Sequence, residues 1–281
     1  RMQSTNDSGF RWILGVFIED QELAYSTTYN MPAISTSLTA VPGRWWKQDN
    51  VREDSQKAIF GEGTWPINDK TDLTVGLRAY ENQADFDAKD GYMGYYEDHP
   101  VLSWAAGRTE KYSKDFSDVS PKINIAHTLN DDVLLYATYS EGFRPSGTNR
   151  LNRKARESGI VPATYDSDTL TNFEAGFKST LADGKIVLNG NFHTMNWDDF
   201  QSTSYIYDLL TVAFVQNVGQ ATISGLELES YFNISDSFSA SLMIALTDPE
   251  FKEDIYDLQG ELSTPKGNQL AYVPTEQFVN L

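Results

Sequence analysis

The alternation of apolar and polar positions is clearest between Asp118 and Gln201, where four runs form two pairs. VSPKINIAHTL and VLLYATYSEGF are joined by the tight polar turn NDD, and TLTNFEAGFKSTL and IVLNGNFHTMNWDDFQ by ADGK. A long polar segment, residues 144–168, separates the pairs. Val133, Leu135, Ala137 and Tyr139 share one face, with Tyr136, Thr138 and Ser140 on the other. Phe173, Ala175 and Phe177 oppose Asn172, Glu174 and Lys178, and Ile186, Leu188, Gly190 and Phe192 oppose Asn189, Asn191 and His193. A period of two means β-strands with one apolar and one polar face. A soluble sandwich also alternates, but these polar faces carry charge and amide groups at mid-strand, where a sandwich has its core. The runs are about ten residues long, the length that crosses a bilayer, against roughly five to six for a soluble strand.

The pattern continues along the whole chain. Residues 1–4 read as the tail of a strand, 6–9 as a turn and 10–20 as a strand with Trp12, Leu14, Val16 and Ile18 on its apolar face. A long polar segment is expected at 21–55, a strand at 56–65, a turn at 68–70, and a strand in which Leu73, Val75, Leu77 and Ala79 alternate with Thr74, Gly76, Arg78 and Tyr80. A second long loop, rich in Asp and Tyr, is expected at 85–116. After the central block, 202–215 reads as a loop with short strand continuations, 216–234 and 238–247 as strands, 247–274 as an acidic loop and 276–281 as the start of another strand. Short turns near 7, 68, 131, 183 and 236 therefore alternate strictly with long loops. That sorts turns to one rim and loops to the other, as in an up-and-down transmembrane β-barrel. The expectation is an all-β, antiparallel sheet of about ten strands. Because lipid does not tolerate open sheet edges, these strands are expected to be part of a larger barrel.

Composition narrows the chemistry. The chain has 281 residues and no cysteine, which excludes disulfides and thiolate metal sites. His99, His127 and His193 lack the close spacing of metal ligands, so no metal and no cofactor is expected. Fifteen tyrosines and fifteen phenylalanines suit the aromatic girdles of a barrel. A net charge of −18 makes the chain a poor partner for nucleic acid. The longest apolar run, residues 12–18, is far below the roughly twenty that a transmembrane helix needs.

Several segments resemble the barrel of TonB-dependent outer-membrane receptors. They are Tyr139-Ser140-Glu141-Gly142-Phe143-Arg144-Pro145-Ser146-Gly147, the run LTNFEAGFKSTLADGKIVLNGNFHTMNWDDFQ, and Asn217-Val218-Gly219-Gln220-Ala221 followed by SGLELE. Gly267-Asn268-Gln269-Leu270 with Tyr272-Val273-Pro274, and FRWILGVFIED, fit later and earlier parts of the same barrel. The resemblance implies a barrel of about 22 strands closed around an N-terminal plug, of which residues 1–281 form part of the wall. It implies active import of a scarce nutrient such as a ferric siderophore across the outer membrane of a Gram-negative bacterium. The implied partners are membrane lipid and lipopolysaccharide, a small-molecule substrate, and the TonB–ExbB–ExbD energy system acting through the plug.

No catalytic motif is present, neither G-x-S-x-G, P-loop nor H-E-x-x-H, and no enzyme is expected. Glu227 and Glu229 share a strand face and read as hydrated lining rather than a glycosidase pair. Asp85, Asp87, Asp90 and Gly91 miss the spacing of a calcium loop by one place and read as a solvated acidic loop. The basic run Arg144, Arg150, Arg153, Lys154 and Arg156 is a candidate contact for an anionic substrate, or else pairs with lipopolysaccharide phosphates or with neighbouring acidic loops. Trp45, Trp46, Tyr92, Tyr95 and Tyr96 are candidates for stacking on a ligand, or for an interfacial belt. A passive porin-like channel and a soluble carbohydrate-binding β module remain the alternative functions.

Overall fold

The structure is a computed structural model and describes residues 1–5, 9–30, 44–92, 109–150, 155, 158–206, 212–271, 273 and 278–280. Its strands are β1 (Met2–Gln3), β2 (Arg11–Asn30), β3 (Arg44–Asn68), β4 (Thr71–Tyr92), β5 (Thr109–Asn130), β6 (Val133–Arg144), β7 (Gly147–Thr148), β8 (Thr164–Tyr165) and β9 (Asp168–Leu181). There follow β10 (Ile186–Asp198), β11 (Gln201–Ile206), β12 (Val212–Asn217), β13 (Ala221–Ser235), β14 (Phe238–Phe251), β15 (Ile255–Tyr256), β16 (Leu262–Thr264) and β17 (Phe278–Asn280). Eleven of them form one sheet in chain order, β1-β2-β3-β4-β5-β6-β9-β10-β13-β14-β17, with every pair antiparallel. The remaining strands make three two-stranded hairpin pairs, β7-β8, β11-β12 and β15-β16, all inserted at the long-connection rim. The expected all-β meander is present, and the sheet does not close on itself among the described residues.

Register explains the two faces. Leu135, Phe177, Gly190, Leu228 and Ile244 lie side by side across five strands, and the adjacent row reads Leu134, Lys178, Asn189, Glu229 and Met243. The apolar face is bare: Val16 is 68% exposed, Ile59 and Leu77 each 56%. Isolated in water such a face would be costly at about 25 cal/mol per Å²; against hydrocarbon it is the surface that the bilayer covers. The opposite face is knitted by polar pairs. Lys122 Nζ reaches Glu62 at 2.8 Å, Asn124 Nδ2 donates to Thr138 Oγ1 at 2.7 Å, Tyr136 Oη donates to Glu174 Oε1 at 2.5 Å, and Asn191 Nδ2 donates to Glu227 Oε2 at 3.0 Å. Glu227 and Glu229 are thus members of a hydrated polar lining, as their spacing suggested.

The short turns fall where expected, at 69–70, 131–132, 182–185 and 236–237. Asn68 and Asn130 fold two of them by accepting from the backbone two residues on, at Lys70 and Asp132, both at 2.9 Å. The expected turn over 6–8 lies outside the described residues.

The strand lengths correct the sequence reading. Residues 21–30, 44–55, 85–92 and 109–116 were expected as loop and are strand. The β2–β3 ladder runs from Arg11 opposite Thr64 to Tyr29 opposite Trp46 without a break in register. Twenty to 25 residues per strand is about twice what a bilayer needs. Above the apolar band the outward face turns polar, with Asp85, Asp87 and Lys89, while the inward face of β4 buries Ala84, Phe86 and Ala88; the ladder persists after the lipid-facing stripe that reveals it has ended. Glu22, Glu53 and Asp85 even stand side by side across three strands, tolerable only in water. Asp85 and Asp87 therefore sit on one face of β4 and Asp90 on the other, which rules out the loop geometry of a calcium site; no cluster of His, Cys, Asp or Glu that could hold a metal occurs among the described residues. A second correction falls at 216–234: the chain breaks at Gly219 (φ 37°), separating β12 from β13.

Two outcomes are expected. Leu77→Arg places a charge on the lipid face and should cost about 2–4 kcal/mol, while Thr74→Arg on the polar face should cost little; heat-modifiable mobility in gels reads the folded fraction. A Cβ at Gly176 would stand 2.5 Å from the Gly190 carbonyl oxygen, so Gly176→Ala should lower the folded yield more than Gly142→Ala, where a Cβ meets nothing within 4 Å.

Candidate functional site

β6 and β9 pair to their ends, which puts Arg144 opposite Asp168. The Asp168 side chain is completely buried. A carboxylate stripped of water must be paired and hydrogen-bonded, and this one is both. Arg144 Nε donates to its Oδ2 at 2.9 Å and Oδ1 at 3.2 Å, Arg144 Nη2 donates to Oδ2, and the backbone N–H groups of Arg144 and Gln201 donate at 3.2 and 2.9 Å. A planar guanidinium supplies this fork; an ammonium would not. Its remaining reach is used as well: Nη2 donates to the Gln201 carbonyl at 2.9 Å, and the plane lies over Trp197 and Phe200 at 4.5 and 5.2 Å.

Neighbouring side chains tie further segments to the same point. Gln201 Nε2 donates to the carbonyls of Pro145 and Asp166 at 3.0 and 2.9 Å. Asn217 Nδ2 donates to the carbonyls of Asp166 and Asp199 at 3.0 and 2.8 Å, and Ser167 Oγ donates to the Arg144 carbonyl at 2.9 Å. Both ends of the 145–167 connection and both ends of the β11–β12 hairpin are thereby fixed at one place on the rim.

From this knot the 145–167 connection packs back against the wall, with β7 against β4 and β5. Asn149 holds it together: its Nδ2 donates to the carbonyls of Pro162 and Val215 at 3.0 and 2.7 Å, and its Oδ1 accepts from Val215 N at 2.7 Å. Ala155, Val161, Ile206 and Phe214 make a small apolar core among the connections, flanked by Ala163 and Leu258. Arg150 then crosses to the wall. Its Nε donates to Gln48 Oε1 at 3.1 Å, its Nη2 donates to Thr27 Oγ1 at 2.8 Å, and its guanidinium lies 5.5 Å from the Tyr25 ring centre. Trp46 meets Tyr29 edge-on at 5.3 Å on the neighbouring strand.

The predicted site residues thus separate. Arg144 is committed to Asp168, while Arg150 and Trp46 stand at the upper wall of the long-connection rim. Trp45 and Tyr92 have backbones within β3 and β4, and their side chains lie outside the described residues, as do Arg153, Lys154, Arg156, Tyr95 and Tyr96 altogether. Asp168, Gln201, Asn217 and Asn149 were missed by sequence reasoning. The signal for Asp168 was present: it opens an alternating run whose pairing partner ends in Arg144.

Comparison with known proteins completes the picture. The family model described as TonB dependent receptor-like, beta-barrel matches residues 2–281. The pesticin receptor of Yersinia enterocolitica is 22% identical over 266 residues, covering 93% of this chain and 34% of that protein; the pesticin receptor of Yersinia pestis matches to the same extent. Among solved structures, the ferric yersiniabactin uptake receptor FyuA from Yersinia pestis has a TM-score of 0.69 at 17% identity, covering 90% of this chain and 34% of that one. The siderophore receptor PiuA from Acinetobacter baumannii has a TM-score of 0.67 at 17% identity, covering 99% and 41%. The chain spans about a third of the length of the curated relatives it matches.

The knot makes a specific demand. Asp168→Ala leaves the Arg144 guanidinium and the Gln201 N–H without their acceptor and should destabilise the rim by about 2–3 kcal/mol. Limited proteolysis should then cut within 145–167 and 201–217 while the sheet stays intact.

Proposed function

This chain belongs to the TonB-dependent receptor family, and we propose on that premise that it forms part of the wall of a larger outer-membrane barrel that imports a scarce small-molecule nutrient, a ferric siderophore above all. The family match over residues 2–281 carries this reading. The family is one of transport receptors, and the printed functions of the similar proteins, pesticin reception and siderophore or ferric yersiniabactin uptake, support the substrate class. The bare apolar face supports a place in lipid, in the outer membrane of a Gram-negative bacterium, with lipopolysaccharide against the strand extensions. The polar face supports a role as the lumen lining along which a hydrated substrate passes. In this reading the connections at the long-loop rim capture substrate on the extracellular side, with Arg150 and Trp46 at the mouth and Arg153, Lys154, Arg156, Trp45, Tyr92, Tyr95 and Tyr96 as further contacts. Arg144 acts from behind them, holding the loop bases. Energy would come from the TonB–ExbB–ExbD system through a plug domain seated in the completed barrel.

The test is uptake of radio-iron by cells starved of iron. Deleting the gene should abolish accumulation from ferric siderophore, and so should loss of TonB with the gene intact. Equal accumulation without TonB, or ion conductance by the purified protein in a planar bilayer with no ferric chelate bound, would replace the importer with a passive channel.

A further inference from the structure

The upper wall holds an unusual group of buried polar atoms. Gln48 and Asn50, both 2% exposed, lie on one face of β3. Gln48 Nε2, Asn50 Nδ2 and Asn50 Oδ1 have no hydrogen-bond partner among the described residues, and neither do Ser146 Oγ and Thr148 Oγ1 in the connection that lies against this wall. Each such atom has given up its hydrogen bond to water without gaining another. A docked loop with several of them is held down against its own chemistry.

Asn149 ties the segment to Pro162 and Val215 within the connections, so that these move with it, and its contacts with the wall lie around Asn50. Tyr25 is the direct cross-strand partner of Asn50, and the Arg150 guanidinium lies over its ring. Two residues before Asn50, Gln48 accepts from Arg150 Nε; two residues after, Arg52 donates to Asp54 and lies near Tyr165, which pairs with Gly147. Residues 147–148 therefore lie on β4 and β5, and Arg150 reaches on to Gln48 and to the ring of Tyr25, while Asn50 between those two contacts stays unpaired. On β4, against which β7 packs, Ala84, Phe86 and Ala88 are buried at 3%, 3% and 2%.

We propose that residues 146–150 are a displaceable strap, and that the wall beneath them, with Gln48 and Asn50 as its recognition groups, is a binding subsite for a neutral hydrogen-bonding portion of the substrate. This rests on the importer reading and deepens it. A carboxamide offers two N–H donors and an acceptor oxygen, so the subsite suits amide, hydroxyl or carbonyl groups rather than a bare anion. Substrate groups satisfy the amides that the strap leaves unpaired, and that difference drives the strap off the wall. The anionic part of the ligand is left to the cations of the mouth, among them Arg150 once its tether to Gln48 and Thr27 is given up.

Hydrogen exchange on the complete receptor in detergent, read over residues 146–150, tests this. Asn50→Leu keeps the volume and removes the unpaired groups, so it should slow exchange in the strap by about tenfold. Arg150→Ala removes the tether and should speed it. With radio-iron supplied in spent medium of the iron-starved host, Asn50→Leu should also lower accumulation several-fold. Faster exchange in Asn50→Leu means that the amide is bonded in place and overturns the proposal, as does unchanged exchange in Arg150→Ala. Slower exchange with undiminished uptake overturns the subsite. If the unaltered receptor takes up no iron, the importer reading falls, while the exchange result still decides whether the strap is held against unpaired amides.

Discussion

The constraint on which everything else depends is that a backbone in hydrocarbon must find all its hydrogen bonds within the protein. Here an antiparallel ladder in strict chain order supplies them, each strand bonded to the one before and the one after. Once the ladder is fixed, side chains are free to obey two solvents at once. Odd positions of β4 such as Leu77 go to lipid and even ones such as Thr74 to water, and the register carries that division from strand to strand. The sheet has no dry interior to pack. The buried apolar cluster among the described residues lies instead in the connections, where Phe214, Ile206 and Val161 meet. Stability of the wall and shaping of the mouth are thus separate problems, solved by different residues.

The junction between them is the Asp168 carboxylate. At the rim the strands end, and the first unpaired backbone groups must be dealt with. One buried anion, one guanidinium and three amide or hydroxyl side chains do this for the ends of two connections together. Segments that resemble the family in sequence, around Arg144, Gln201 and Asn217, are far apart along the chain and meet here.

What the sequence disclosed follows the same physics. Strand positions inside the apolar band were legible because lipid imposes a period of two on Leu73, Val75, Leu77 and Ala79. The extensions at 21–30, 44–55, 85–92 and 109–116 were illegible because their outward face is polar and their inward face buries amides such as Gln48 and Asn50 as well as apolar groups, which blurs the period. Arg144 was read as one of a basic run that meets substrate, lipopolysaccharide or an acidic loop, and not as the partner of Asp168, which is 24 residues away and becomes adjacent only through the β6–β9 register. Arg150 and Trp46 were named from charge and aromaticity alone; no pattern in the chain announces that Arg150 meets Gln48, or that Gln48 and Asn50 follow Trp46 as buried amides on one face of β3, since a buried amide looks in sequence like any polar strand residue.

Knot and strap differ in one respect that bears on mechanism. At the base of the 145–167 connection most polar groups are answered, often twice, whereas just beyond it Ser146 Oγ and Thr148 Oγ1 are not, nor are the amides of Gln48 and Asn50 in the wall. Ser146 shows how sharp the change is, since it follows Pro145, whose carbonyl is still held by Gln201. A segment rigid at its root and poorly satisfied at its contact has a defined place to bend and a defined surface to release. Motion of this kind needs no strain in the barrel, because the ladder ends before the segment begins. The wall can therefore stay as stiff as lipid requires while the mouth exchanges one set of hydrogen bonds for another.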